Sequence, residues 1–319
     1  MLRYIVAFVA VALFSASAHA QGYPSRAVTI VVPFGPGSGT DTVARILAQH
    51  LAPALGQSVV VENKAGANGA IAATHVARAD PDGHTIFLST NTPHSAAPTL
   101  NKSISYDPIK DFVPISRVGS YTFTLALHPS IPAKSVAELV AYAKANPDKL
   151  TYASGNSTGI VSAETFKSIS GIQILHVPYK STPPALSDVL GGRVSMMFID
   201  LAPGLPHIES KALNALAVTT AERSPLLPHL PSMQEAGVTG FEIDSWAGMF
   251  APAKTPPEVV ARLNVELRTI LTKKEVVALL GTGGFVAIPS TPEQFDTFVK
   301  DQLVKWTKLI KDAGIARAE

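Results

Sequence analysis

The 319-residue chain contains no cysteine, which excludes several kinds of chemistry at once. Disulfide bonds, zinc–thiolate sites and cysteine nucleophiles are all ruled out. Charged residues are also scarce, at 16% of the chain, against about 25% in typical globular domains. A chain of this length with so few charges can bury a large core without covalent cross-links.

Long apolar runs are missing too. The apolar run at residues 4–14 is much shorter than the ~18–20 residues that a membrane-spanning helix needs. Arg3 precedes this run and Ala18-His19-Ala20 follows it, which is the pattern of a signal peptide with its cleavage site. The sequence therefore predicts export to the periplasm with cleavage after Ala20, and no lipid anchor because no cysteine follows.

Features of a nucleic-acid surface or a metal site are absent from the sequence. The formal net charge is only +2, and no basic run or basic patch interleaved with aromatic residues occurs. The histidines form no HxxxH or HxH pair of the kind that binds a metal ion. We expect no nucleic-acid partner, no metal and no cofactor, and we take a monomer as the default oligomeric state.

Strand and helix patterns alternate almost throughout the chain. Two similar units, each a strand, a polar turn and a helix, lie about 120 residues apart. This pattern predicts an α/β protein of two lobes, each a mainly parallel sheet flanked by helices. Residues 21–120 and 246–319 are assigned to lobe 1 and residues 121–245 to lobe 2, with crossover strands near residues 118–121 and 243–246.

The first of these units, residues 27–51, is the most informative stretch of the chain. Its glycine-rich turn ends at Gly39, and Thr40 and Asp41 supply N-cap oxygens to an amphipathic helix. The free N–H groups and the positive dipole end of such a helix attract anions. The sequence therefore predicts an anion site here, with a turn that merely connects strand to helix as the alternative.

Two nucleotide-binding motifs match this turn poorly. A Walker A loop requires a lysine, and none follows Gly39. A dinucleotide-binding fingerprint requires a further glycine at the position of Thr40, and Asp41 would repel a pyrophosphate. Glu62 keeps that second possibility open, since it lies about where a ribose-binding acid belongs.

The second polar turn, residues 154–159, contains a GxSxG pattern centred on Ser157. Such a pattern between a strand and a helix is typical of a serine-hydrolase nucleophile, and Asp200 and later histidines follow in the required chain order. No HGGG-like oxyanion segment precedes it. An anion-binding turn explains Asn156, Ser157 and Thr158 together, whereas a nucleophile explains only Ser157, so an exported serine hydrolase is kept as an alternative.

Other polar residues follow predicted strands, at the sheet edge where open α/β sheets bind ligands. Asp200 ends an apolar strand and either contacts ligand or caps the next helix. Tyr179 and Ser181 follow another strand, and His94 lies in a polar loop after residues 84–88.

The whole mature chain resembles the solute-binding proteins of tripartite tricarboxylate transporters, the Bug family. The segments that carry the resemblance include YPSRAVTIVVPFGPGSGTDTVARILAQ, SYDPIKDFVPIS and HVPYKSTPPALSDVLGGRVSMMFID. The resemblance implies a type II periplasmic-binding fold, with two α/β lobes joined by crossover strands that close on a small carboxylate. It also implies membrane permease subunits as partners and no catalysis. Two departures stand out: GPGSG replaces the usual PAGG before Thr40, and Ser181 replaces a glycine.

We therefore predict a periplasmic solute-binding protein, not an enzyme, that captures a dicarboxylate or an aromatic acid. A binder of a monocarboxylate, an amino acid or a neutral ligand is the second alternative. The candidate ligand-binding residues are Phe34, Gly35, Gly37, Ser38, Gly39, Thr40, Asp41, Ser89, Thr90, Asn91, His94, Ser154, Gly155, Asn156, Ser157, Thr158, Tyr179, Ser181 and Asp200.

Overall fold

A computed structural model describes residues 22–317 of the chain. The predicted signal peptide and its cleavage site therefore lie outside the described residues. Within residues 22–317, no helix combines the length and the hydropathy needed to cross a membrane.

Eleven strands and ten α-helices are found in the described part of the chain. The strands are β1 (Val28–Val32), β2 (Val59–Asn63), β3 (Thr85–Thr90), β4 (Phe112–Tyr121), β5 (Phe123–Leu127), β6 (Thr151–Ser154), β7 (Leu175–Pro178), β8 (Met196–Asp200), β9 (Asn214–Val218), β10 (Ser245–Pro252) and β11 (Phe285–Ala287). The helices are α1 (Gly39–Leu55), α2 (Ala70–Ala77), α3 (Ala97–Leu100), α4 (Val136–Ala145), α5 (Ser157–Ser170), α6 (Thr182–Leu190), α7 (Leu201–Glu209), α8 (Pro257–Leu271), α9 (Lys274–Gly281) and α10 (Pro292–Asp312). A 3₁₀ turn (Ala67–Gly69) and a π-helical turn (Thr92–Ala96) complete the inventory.

The strands form two separate sheets. The first has the order β11-β4-β10-β3-β1-β2 and the second the order β7-β6-β8-β5-β9. The two-lobed α/β architecture is confirmed, but both sheets are mixed rather than mainly parallel. In the first sheet β10 runs antiparallel to β3 and β4, and in the second β5 runs antiparallel to β8 and β9. Each of these antiparallel pairs contains β5 or β10, the strands at which the chain enters one sheet from the other.

The chain passes from one sheet to the other at two places. Thr122 alone separates β4 from β5, and β10 returns the chain to the first sheet after β9. The ends of β4 and β10 are paired at this junction, with Tyr121 opposite Ser245. The strand ends that meet here place their side chains at the boundary between the lobes.

Each sheet has its own hydrophobic core. Buried strand residues of the first sheet pack against α1, α8 and α9, and those of the second pack with α4 and α5. The last helix, α10, joins both lobes: Phe295 packs in an aromatic cluster of the first sheet, while Trp306 packs in the core of the second. The two lobes are therefore linked by this helix as well as by the two strand crossovers.

Candidate functional site

The first glycine-rich turn presents the N-terminus of α1 to the space between the lobes. Ser38 caps the helix, its Oγ accepting a hydrogen bond from the Asp41 N–H at 3.3 Å. Within residues 22–317, the backbone N–H groups of Gly39 and Thr40 have no hydrogen-bond partner. The positive end of the helix dipole reinforces these two free donors, so the turn can accept an anion.

The Asp41 carboxylate stabilises this turn through hydrogen bonds. Its carboxylate accepts hydrogen bonds from the Gly37 N–H at 3.0 Å, from Asn63 Nδ2 at 2.9 Å and from Arg45 Nε at 2.9 Å. Burial alone would raise its pKa, but the hydrogen bonds from Arg45, Gly37 and Asn63 lower it below the ordinary range. Asp41 is therefore an ionised structural anchor of the turn and does not line the cleft.

The second polar turn presents the N-terminus of α5 from the other lobe. Asn156 caps this helix, its Oδ1 accepting from the Gly159 N–H at 2.9 Å. A Cβ on Gly155 would lie 2.2 Å from the backbone carbon of Ser181, so only glycine allows the two chain segments to approach this closely. The close contact brings α5 and α6 together at one side of the cleft.

Direct hydrogen bonds connect the lobes across the cleft. Asn91 Nδ2 donates to Thr158 Oγ1 at 2.9 Å, and the Ser157 N–H donates to Thr92 Oγ1 at 3.2 Å. Ser245 Oγ donates to Asn91 Oδ1 at 2.6 Å and so fixes that amide. The structure is thus a closed state, and its cavity of about 20 Å³ has room for roughly one water molecule.

Asp200 faces the first turn from the opposite lobe. It is the last residue of β8, it is 5% exposed, and its Oδ1 has no hydrogen-bond partner in the part of the chain that the structure describes. A Cβ on Gly39 would lie 2.2 Å from that oxygen, so the glycine makes room for the carboxyl group. Burial raises the pKa of Asp200 to about 7.

The structure brings many of the predicted residues to one cleft and adds others. Predicted residues that line it are Phe34, Ser38, Gly39, Thr40, Thr90, Asn156, Thr158 and Asp200. The cleft is also lined by Thr92, at the end of the turn formed by residues 89–92, and by four residues that the sequence did not indicate: Tyr121, Phe123, Thr182 and Ser245. Tyr121 and Ser245 lie within the segments predicted to be crossovers. Because crossover strands run along the boundary between the lobes, that prediction could have indicated that both residues line the cleft.

The remaining predicted residues lie around the cleft without lining it. They are Gly35, Gly37, Asp41, Ser89, Asn91, His94, Ser154, Gly155, Ser157, Tyr179 and Ser181. Tyr179 bonds through its hydroxyl to Asp188, and Ser154 Oγ lies 2.5 Å from His176 Nε2. These side chains are engaged within lobe 2.

His94 belongs to an aromatic core and not to the cleft lining. Its ring stacks on Phe250 with the centroids 3.9 Å apart, and its Nδ1 lies 2.6 Å from Ser89 Oγ. Burial lowers the pKa of His94 to about 3, so the imidazole is neutral. The predicted polar loop is here a π-helical turn, which turns His94 inward and presents Thr92 to the cleft.

The serine-hydrolase alternative has no support in this geometry. Ser157 is fully buried, and its Oγ has no hydrogen-bond partner within residues 22–317. Among the described residues, no histidine bonds to that hydroxyl, so nothing there would activate it as a nucleophile.

Two lobes, each directing a helix N-terminus at a shared cleft, define a two-domain solute-binding protein. A family model described as "Tripartite tricarboxylate transporter family receptor" matches residues 43–315. The chain belongs to this family of transporter receptors, and the resemblance seen in the sequence is confirmed.

Relatives support this membership along the full length. Protein BugT of Bordetella pertussis is 35% identical over 317 residues, which cover 98% of this chain and 97% of BugT. The structure of R. palustris Rpa4515 with adipate has 37% identity and a TM-score of 0.90, covering 93% of this chain and all of that one. MatC from Rhodopseudomonas palustris with bound malate has 32% identity and a TM-score of 0.86, covering 90% of this chain and all of MatC.

Proposed function

We propose that this protein is a periplasmic receptor that captures a small carboxylate between its lobes, most readily a dicarboxylate or an aromatic acid. The observation that carries the proposal is the pair of helix N-termini, α1 and α5, which face one cleft from different lobes. Rpa4515 with adipate and MatC with malate support it, since both similar proteins hold dicarboxylates.

One carboxylate group would accept hydrogen bonds from the free N–H groups of Gly39 and Thr40. The other end of the ligand would meet Asn156 and Thr158 on the opposite lobe. Within the described residues, no lysine, arginine or histidine lines the cleft. Helix dipoles, hydroxyl groups and ordered water would therefore balance the ligand's charge in place of salt bridges.

Ligand entry requires the lobes to separate, because the closed cavity is too small for a dicarboxylate. Opening breaks the contacts of Asn91 with Thr158 and of Thr92 with Ser157. A bound ligand would then replace part of this direct contact with contacts of its own. Closure by rigid movement of two lobes is a common response of binding proteins to their ligands.

In this proposal the protein performs no catalysis and acts as a monomer. The closed, ligand-filled shape would be what membrane permease subunits recognise. Export through the predicted signal peptide would place the receptor in the periplasm, where it meets both solute and permease.

A thermal-shift screen of the mature protein tests the proposal. The panel contains succinate, malate, adipate, benzoate, phthalate, glutamate and, as a neutral control, glucose. A ligand present at 100 times its dissociation constant should add about 2.7 kcal/mol to the free energy of unfolding. We expect at least one dicarboxylate or aromatic acid to raise the melting temperature. A rise with glucose and none with any acid would contradict the proposal.

A further inference from the structure

Asp200 is a buried carboxyl group that faces the space in which an anion is proposed to bind. It lines the cleft, it is 5% exposed, and its Oδ1 has no hydrogen-bond partner among the described residues. It approaches α1 at Gly39, next to the two free backbone N–H groups. A ligand carboxylate held by those N–H groups would therefore lie beside the carboxyl group of Asp200.

Within residues 22–317, no lysine, arginine or histidine lines the cleft and neutralises Asp200. Tyr121, on β4, is the other titratable residue that lines the cleft, and burial raises its pKa above the ordinary range, so it stays neutral and donates to Thr40 Oγ1. On α1, Asp41 is already bonded to Arg45. Glu209, at the far end of α7, is exposed to solvent. The lining residues of β5, α5 and α6 are not ionisable: they are Phe123, Thr158 and Thr182.

Two carboxylates in one buried site cannot both remain charged at close range without a cation. The usual solution is a shared proton, carried by one carboxyl group and donated to the other. We infer that the cleft takes up one proton together with its ligand, and that Asp200 holds this proton and donates it to the ligand carboxylate. The inference rests on the proposed function.

Ligand binding should weaken as the pH rises above neutrality. In this closed structure burial raises the pKa of Asp200 to about 7, and hydration on separation of the lobes would lower that pKa, so in either state the group is largely ionised at pH 8 without ligand. An adjacent ligand anion raises this pKa further, because it disfavours a second charge. Binding at pH 8 therefore consumes a proton, and the dissociation constant should increase up to tenfold per pH unit above pH 7.

The test is isothermal titration calorimetry of the mature protein at pH 8, with adipate and malate as probes. Titrations in HEPES and in Tris, whose ionisation enthalpies differ, give the number of protons taken up per ligand. We expect a value approaching one for the wild-type protein. In Asp200→Asn the amide replaces the protonated carboxyl as a donor, so binding should persist with proton uptake near zero and a dissociation constant independent of pH.

A matched control is Glu209→Gln, at the exposed far end of α7, the helix that follows Asp200, and it should retain the wild-type proton uptake. Binding of adipate or malate by the wild-type protein with no proton uptake would overturn the inference and leave the proposed function intact. Failure of every acid in the panel to bind would overturn the proposed function itself. Binding of glutamate alone, abolished in Asp200→Asn, would also overturn the inference, because it would assign Asp200 to a ligand ammonium group.

Discussion

Asp200 and His94 are two buried titratable residues whose ionisation equilibria shift in opposite directions. Burial raises the pKa of Asp200 from 3.8 to about 7 and lowers that of His94 from 6.5 to about 3. Both shifts favour the neutral form, since neither side chain has an ionic partner among the described residues to compensate for lost hydration. The residues differ in setting, because Asp200 lines the cleft and His94 lies among aromatic rings.

These pKa shifts predict how the free energy of unfolding changes as the pH falls, and a variant of one residue should isolate its contribution. For His94 the folded pKa is lower, so its contribution to stability falls as the pH falls from 6.5 towards 3. For Asp200 the folded pKa is higher, so its contribution increases as the pH falls from 7 towards 3.8. In the wild-type protein the two effects act in opposite directions. Relative to it, His94→Gln should gain about 2 kcal/mol of unfolding free energy between pH 7 and pH 5.

Urea unfolding at the two pH values measures this difference. His75→Gln, which changes an exposed histidine of α2, serves as the matched control and should follow the wild-type protein. A pH response of His94→Gln identical to that of the wild-type protein would show that folding does not lower the pKa of His94.

At the scale of secondary-structure elements, the cleft depends on how α1 begins, and α4 offers a comparison because it begins with the same kind of cap away from the cleft. Ser38 caps α1, whose first N–H groups face the cleft, and Ser135 caps α4 by the same contact to a backbone N–H, at Glu138. Both replacements by alanine should cost about 1 kcal/mol of stability. Of these two serines, Ser38 lines the cleft and Ser135 does not, so comparing their alanine variants separates an effect on helix stability from an effect on ligand binding.

We expect Ser38→Ala to weaken binding of the acid found in the screen by at least tenfold, about 1.4 kcal/mol, because the first turn loses its fixed geometry. Ser135→Ala should bind with wild-type affinity. Calorimetry gives the affinities and urea unfolding the stabilities. Equal affinities of both variants would show that the first turn is only a connection between strand and helix.

The regular elements follow closely from local sequence, whereas the cleft depends on contacts distant in the chain. α8 and α10 are long amphipathic helices whose apolar periodicity is visible in the sequence alone. The sequence did not predict β11, because a strand of only three residues is too short to show a periodicity. The sequence also did not predict the π-helical turn at Thr92–Ala96, because its polar residues resemble a loop. The inward orientation of His94 depends on its packing against Phe250, which is distant in the chain.

For the molecule as a whole, closure brings Gly39 of one lobe against Asp200 of the other. A methyl group at Gly39 would lie 2.2 Å from Asp200 Oδ1, so Gly39→Ala should keep the lobes apart. Stability should change little, because each lobe has its own core. We predict at least tenfold weaker ligand binding, about 1.4 kcal/mol, together with a larger radius of gyration in small-angle scattering with ligand present.

Gly281→Ala is the matched control, since a Cβ there meets no atom within 4 Å. It should close on ligand as the wild-type protein does. Compaction of Gly39→Ala equal to that of the wild-type protein would show that the lobes do not approach each other at this residue.

The central claim is that two helix N-termini on different lobes hold one carboxylate ligand. A crystal structure of the mature protein with the tightest-binding acid of the screen tests this most directly. The account predicts carboxylate oxygens about 3 Å from the backbone nitrogens of Gly39 and Thr40, with the far end of the ligand against Asn156 and Thr158. A ligand bound outside this cleft, or one whose carboxylate is held by lysine or arginine side chains, would contradict the account.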